Sequence, residues 1–228
     1  MGDEIPIIEG LALMESFEVV QREITKVVLS LIPDSSFALA GSGAIREHGL
    51  INRPTEDIDL FSENMGAIDF DKNVDLIVEG LSAGGYRVTQ RQRADRFAQL
   101  AVEKDDLIVN IDLGVDWREN HPVVMDIGPV LNRKDAVGSK VSTLYSRTEA
   151  RDYLDVDRIR SSGLYTDEEL LDMIRERDLG FDFGVFVQML GYVNSLKPYQ
   201  VNIYGVSAEQ LEEIKARYNS WIEALKKL

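Results

Sequence analysis

Cysteine is absent from this chain of 228 residues, which excludes disulfides, thiolate metal sites and a cysteine nucleophile. Histidine is nearly absent: His48 and His121 lie far apart in sequence, so a histidine-built zinc site is not expected. Any metal should then be a hard cation on oxygen ligands, with Mg²⁺ or Mn²⁺ the natural choice. Positive charge is scarce as well. Lys and Arg number 25 against 40 Asp and Glu, a formal net charge of −15 that argues against a broad face for duplex nucleic acid. No apolar window approaches the roughly 20 residues that span a bilayer, and Met1-Gly2-Asp3-Glu4 lacks the basic and apolar segments of a secretory leader. A cytoplasmic protein without membrane attachment is expected. Repeats and low-complexity tracts are missing too.

What is present is an ordinary globular composition, 44% apolar with 8% aromatic, enough to bury a substantial core. Its charge is unevenly spread. Arg87, Arg91, Arg93 and Arg96 cluster, as do Arg133, Lys134, Lys140, Arg147, Arg151, Arg158 and Arg160, while the acidic excess falls mainly in 56–79 and 166–182. Helical spacing of Leu11, Leu13, Phe17, Val20, Ile24, Val27, Val28 and Leu31 predicts a helix over 10–31. A short strand over 37–40 runs into Gly41-Ser42-Gly43, a helix over 43–50 ends at Gly49, and a strand follows at 57–61. The Gly-Ser turn is expected at one sheet edge. A helix over 71–83 and strands over 86–91, 97–103 and 107–113 come next, with Lys104-Asp105-Asp106 as a hairpin turn. After a loop around Pro122 and Pro129, helices are expected at 134–146, 148–162, 167–177, 182–195 and 207–227, the last opened by a Ser207/Gln210 capping box. A boundary near 130 therefore separates an α/β half, 1–130, from a helical half, 131–228.

The run Arg53-Pro54-Thr55-Glu56-Asp57-Ile58-Asp59-Leu60-Phe61 carries the most chemistry. Strand side chains alternate faces, so Asp57 and Asp59 point one way while Ile58 and Leu60 point into a core. Adjacent carboxylates repel and are costly to keep ionised without a counter-charge. A divalent cation held by both supplies it, as in metal-assisted phosphoryl and nucleotidyl transfer. Asp112 lies on the polar face of its strand with Asn110 and Gly114, opposite Val109, Ile111 and Leu113. If that strand neighbours 57–61, Asp112 is a candidate third carboxylate; an exposed position near a turn would explain it equally well. Gly41-Ser42-Gly43 upstream is suited to a nucleoside triphosphate, because glycine lets backbone N–H groups approach phosphates. The ordinary reading of an Asp-x-Asp pair is solvated loop chemistry.

A second constellation runs from Gly138-Ser139-Lys140 through Arg147 to Arg151-Asp152-Tyr153-Leu154-Asp155. Arg147, Arg151 and Asp155 are four residues apart, the spacing of a surface salt-bridge ladder on one helix. Lys140, expected at a helix start, is a compact charge suited to a departing pyrophosphate. Asp152 could orient Lys140 or take a proton from an attacking hydroxyl. The final helix, with Tyr218 and Trp221 exposed or not, could either cap the core or meet a partner.

Together these residues resemble the nucleotidyltransferase superfamily, and more closely its AbiE-type (AbiEii/AbiGii) toxin branch. Four segments between residues 37 and 155 carry the resemblance: Leu39-Ala40-Gly41-Ser42-Gly43, the Asp57-x-Asp59 run, Lys140, and Arg147-x3-Arg151-Asp152-x2-Asp155. The resemblance implies an α/β (α+β) fold, a polymerase-beta-like nucleotidyltransferase core with a mixed sheet, followed by a C-terminal helical domain. It implies an enzyme that moves an NMP from an NTP to an acceptor hydroxyl, since some relatives modify the 3′ end of tRNA. It also implies a toxin paired with an antitoxin encoded beside it. Carried over by position, Asp57, Asp59, Lys140 and Asp152 are catalytic, with Asp57, Asp59 and Asp112 on Mg²⁺ or Mn²⁺. Gly41, Ser42, Arg53, Thr55, Arg147 and Arg151 form the nucleotide-binding set. Transfer to a small molecule such as an antibiotic, and a catalytically inactive binding module, are the alternatives.

Overall fold

The computed structural model describes residues 7–63 and 65–227, with side chains from residue 17 on. Met1-Gly2-Asp3-Glu4 and the side chains of Leu11 and Leu13 lie outside the described residues. Contacts divide the chain into two units, Met1–Gly43 with Pro54–Asn132, and Ala44–Arg53 with Arg133–Leu228.

The first unit is built on a mixed sheet. Helix α1 (Ile7–Leu31) precedes strand β1 (Ala38–Leu39), helix α2 (Gly41–Glu47) opens directly after it, and β2 (Asp57–Ser62) and α3 (Ala67–Ala83) follow. Strands β3 (Arg87–Ala94), β4 (Phe97–Lys104) and β5 (Leu107–Val115) form a meander, and β6 (Val123–Met125) and β7 (Gly128–Val130) a short hairpin. The order across the seven-stranded sheet is β3-β4-β5-β2-β1-β7-β6. The β4–β5 turn has Asp105 and Asp106 at φ 49° and 64°, the left-handed pair of a two-residue hairpin, a conformation that Asp tolerates better than most residues. Alternation does what the pattern demands of β2: Ile58 and Leu60 are buried and Asp57 and Asp59 half-buried. On α1, Val20, Ile24 and Val28 form a buried stripe at i,i+4 spacing. Gln21 on the same helix is buried too; its amide donates to the Asp57 carbonyl at 3.0 Å and its carbonyl accepts from the Thr55 hydroxyl at 2.8 Å.

Three features differ from expectation. The region around Pro122 and Pro129 contains β6 and β7, the latter parallel to β1 with Leu39 opposite Val130. Three-residue strands leave no period to read, and Pro129 argues against a strand by propensity. Strand β1 is consequently interior, so the Gly-Ser turn is not at a sheet edge. That turn is also the first turn of α2.

The second unit holds helices α4 (Arg133–Ser146), α5 (Ala150–Ser161), α6 (Asp167–Arg177), α7 (Phe183–Gly191), α8 (Pro198–Asn202) and α9 (Ala208–Leu225). A 3₁₀ turn, Tyr192–Ser195, ends what was expected as one helix over 182–195. Helix α8, with Pro198 in its first turn, was not expected. The Ser207/Gln210 capping box is present, as read from sequence. Tyr218 and Trp221 are not exposed: α9 packs on α5 and α7, and both rings are buried. Trp221 lies 5.8 Å from Phe186 and 5.9 Å from Tyr218, with the Arg160 guanidinium 4.1 Å above its ring. Among the described residues its Nε1 has no hydrogen-bond partner, so the ring contributes apolar contact and a π face. Trp221→Ala should therefore destabilise this unit by about 3–5 kcal/mol. Trp221→Phe, which forfeits no hydrogen bond, should cost clearly less. Guanidinium denaturation of the two variants checks the order.

Candidate active site

Parallel pairing of β2 with β5 sets Asp57 opposite Asn110 and Asp59 opposite Asp112. Opposed residues in a parallel pair face the same side, so the third carboxylate joins the first two. Asp57, Asp59 and Asp112 each offer an oxygen within 4.8 Å of the others, and all three are half-buried. Asp112 is oriented by Gln99 on β4, whose amide donates to its Oδ1 at 2.9 Å. This is an all-oxygen, anionic donor set of the kind that suits Mg²⁺ or Mn²⁺. Three such carboxylates are expensive to keep ionised together without a cation.

Gly41 explains why glycine stands beside this cluster. Its φ is +53°, and a Cβ built on it would fall 1.8 Å from Asp59 Oδ2. The backbone hydrogen bond from Ala40 N–H to the Asp59 carbonyl, 2.8 Å, clamps the turn to β2. The space a side chain would fill is taken by the carboxylate itself. Ser42, buried, follows in the first turn of α2.

The helical unit carries its own charge cluster. Lys140 sits in the middle of α4, not at its start, and is buried with Nζ 3.0 Å from Asp152 and 3.1 Å from Asp155. Asp155 in turn receives a bidentate pair from Arg53, with both N–O distances 2.6 Å. Arg147 lies between α4 and α5, so it is not on the expected helical ladder; it bends back to Asp152 at 2.7 and 3.2 Å. The result is a chain of three cations and two carboxylates in place of an i,i+4 stripe. Burial raises the Asp152 pKa, but the Arg147 hydrogen bond and the Lys140 and Arg147 charges more than offset this and hold it below its ordinary value. Both Asp152 oxygens are thereby engaged by cations.

The remaining sequence candidates fall as follows. Arg53 is buried with Asp155, and its guanidinium stacks 5.2 Å from the Tyr204 ring centroid. Thr55 is buried against Gln21, and Arg151 is half-buried at the start of α5. Sequence reasoning left Gln99 and Gln21 without roles, and read Asp155 only as part of a salt-bridge ladder and of the Arg-Asp motif.

Comparison with known proteins follows this geometry. A family model described as nucleotidyl transferase AbiEii toxin, type IV TA system, matches residues 31–227. No curated protein matches the sequence. Among solved structures, JHP933 from Helicobacter pylori is similar at a TM-score of 0.57 and 14% identity, over 92% of this chain and 93% of that one. A putative nucleotidyltransferase from H. pylori is similar at 0.56 and 13% identity, over 92% and 96%. MenT4, a nucleotidyltransferase toxin from Mycobacterium tuberculosis, is similar at 0.53 and 17% identity, over 92% and 84%. At these identities the structural likeness speaks to fold.

Two outcomes are expected. Gly41→Ala must displace the Asp59 carboxylate, and Mn²⁺ affinity measured by calorimetry should fall about tenfold or more while the protein stays folded. Because folding lowers the Asp152 pKa, the stability it provides is present above the unfolded carboxylate value of about 3.9 and is lost as pH falls through the lower folded value. The stability gap between wild type and Asp152→Asn should accordingly be full at pH 7, start to narrow near pH 4 and close only below the lowered folded value. Denaturant titrations at a series of pH values from neutral down through that range read it directly.

Proposed function

The chain belongs to the AbiEii nucleotidyltransferase toxin family of type IV toxin–antitoxin systems, and on that premise we propose that it transfers a nucleoside monophosphate from a nucleoside triphosphate to a hydroxyl at an RNA 3′ end, such as that of tRNA. The observation that carries this reading is the registered Asp57, Asp59 and Asp112 cluster with Gly41 against it. Those three carboxylates would hold Mg²⁺ or Mn²⁺, and the bound cation would neutralise phosphate charge and align the reacting groups. Gly41 and Ser42, at the first turn of α2, would receive the triphosphate through backbone N–H groups.

In this reading the acceptor hydroxyl oxygen bonds to the α-phosphorus, the bond to the bridging oxygen breaks, and pyrophosphate leaves. Lys140 supplies positive charge to the departing pyrophosphate. Its ammonium is fixed by Asp152 and Asp155, so little reorganisation is needed when charge develops. Of the two roles open for Asp152, orienting Lys140 is the better supported. Both of its oxygens accept from Lys140 or Arg147, which supports a part in orienting Lys140 over one in taking the hydroxyl proton. The hydroxyl proton passes to solvent water, which leaves Asp112 to the cation, with Gln99 on its other oxygen.

Family membership favours a toxin acting on RNA over an antibiotic-modifying enzyme, and a cognate antitoxin is the expected protein partner. Among the described residues, no helix is long and apolar enough to cross a membrane. The test is incubation of purified protein with Mg²⁺, total tRNA and each labelled nucleoside triphosphate in turn. Label should appear on RNA, fall to background in Asp57→Asn, and drop about 10²–10³-fold in Lys140→Ala. RNA that stays unlabelled with every nucleotide would sink the RNA acceptor, and undiminished labelling by Asp57→Asn protein would sink the metal assignment.

A further inference from the structure

The helical unit contains a cavity of about 420 Å³ between the segment before β2, helix α5, the α8–α9 turn and helix α9. It lies wholly within that unit. Its volume is within the roughly 300–1,000 Å³ of small-molecule sites. Apolar wall comes from Leu154 and Ile214, both buried. One flat π surface is present, the half-buried Tyr204 ring stacked with the Arg53 guanidinium at 5.2 Å. Asn52 and Gln210, both exposed, add amide donors and acceptors at the margin.

Charge in the wall is matched with one exception. Arg53 is held bidentate by Asp155, and Arg217 bidentate by Asp157 at 2.8 Å. Glu213 approaches the same Arg217 at 3.9 Å. Arg158 is exposed on the wall, and its guanidinium has no hydrogen bond or ion pair among the described residues. Ser161, three residues on and so on the same helical face, adds a hydroxyl beside it. In a chain of net charge −15, an arginine left unpaired between paired neighbours is a place for an anion.

A planar ring surface, amide edges and one uncompensated arginine within a cavity of this size match a single nucleotide. Unstacked bases are held on aromatic and guanidinium planes, and phosphates by arginine. We propose that this cavity binds one unstacked nucleotide, with its base against Tyr204 and its phosphate at Arg158. The nucleotide comes either from a single-stranded RNA or from a free mononucleotide. The RNA source rests on the transfer reading above, in which it would belong to the acceptor; the pocket itself does not.

The experiment uses the full chain in EDTA, as wild type and as Asp57→Asn, so that metal-dependent triphosphate binding does not contribute. Each is titrated by calorimetry with AMP, CMP, GMP and UMP and with a four-nucleotide single-stranded RNA. Binding is expected, and Arg158→Ala and Tyr204→Ala should each weaken it about tenfold or more at unchanged melting temperature. A tetranucleotide bound at least about tenfold more tightly than any mononucleotide identifies an RNA strand; equal or weaker binding identifies a free nucleotide. Absence of binding, or affinities unchanged in both variants, overturns the proposal. Because transfer activity is assayed separately with Mg²⁺, either result stands apart from the fate of the transfer reading.

Discussion

Everything at the carboxylate cluster depends on one constraint: β2 and β5 run parallel in a register that puts Asp59 opposite Asp112. A slip of one residue would turn either carboxylate to the apolar face and bring Ile58 or Ile111 out of the core. The register is therefore secured by burial of Ile58, Leu60, Ile111 and Leu113, each at most 1% exposed. Hydrophobic burial holds like charges together that would otherwise separate. The same constraint reaches β1, because Ala40 bonds to the Asp59 carbonyl and Gly41 has no room for a side chain. A glycine that looks like phosphate chemistry in sequence is first a packing requirement of the neighbouring acid.

The helical unit solves the opposite problem, that of keeping cations fixed inside protein. Desolvating a charge costs several kcal/mol, and it is repaid only where partners are close and well oriented. Lys140 and Arg53 share Asp155, and Lys140 and Arg147 share Asp152. Each carboxylate thus serves two cations. Such an arrangement is a poor device for stability, since apolar residues of similar volume would do as well. It is a good device for holding Lys140 and Arg53 in one fixed geometry, because each cation is tied to a carboxylate that a second cation also holds.

Much of this was legible in the chain. Period-two alternation around Asp57-Ile58-Asp59 gave the facing of the pair, and the polar face of β5 gave Asp112. Residue types and order gave the family, a toxin nucleotidyltransferase with a mixed sheet and helices. What could not be read were pairings between distant segments. Arg53 and Asp155 are 102 residues apart, and no local pattern links them. The i,i+4 spacing of Arg147, Arg151 and Asp155 pointed to a ladder because it assumed one continuous helix; the break at 147–149 turns Arg147 back on Asp152. The hairpin of β6 and β7 was too short to carry a period. The exposure of Tyr218 and Trp221 stayed open because amphipathicity shows that a helix has an apolar face, not what covers it.

The segment 44–53 ties these observations together through covalent structure. Gly41-Ser42-Gly43 ends one stretch of the first unit and Pro54 begins the next, with ten residues between them that pack with the helical unit. Those ten end at Arg53, which is anchored by Asp155, the residue that also holds Lys140. Four residues later the chain reaches Asp57, whose carbonyl is held by Gln21. Arg53 is thus bound to Asp155 by an ion pair and to the strand that carries Asp57 by a short peptide that Pro54 stiffens. The ion pair that orders Arg53 inside the helical unit therefore also restrains the backbone that leads on to Asp57.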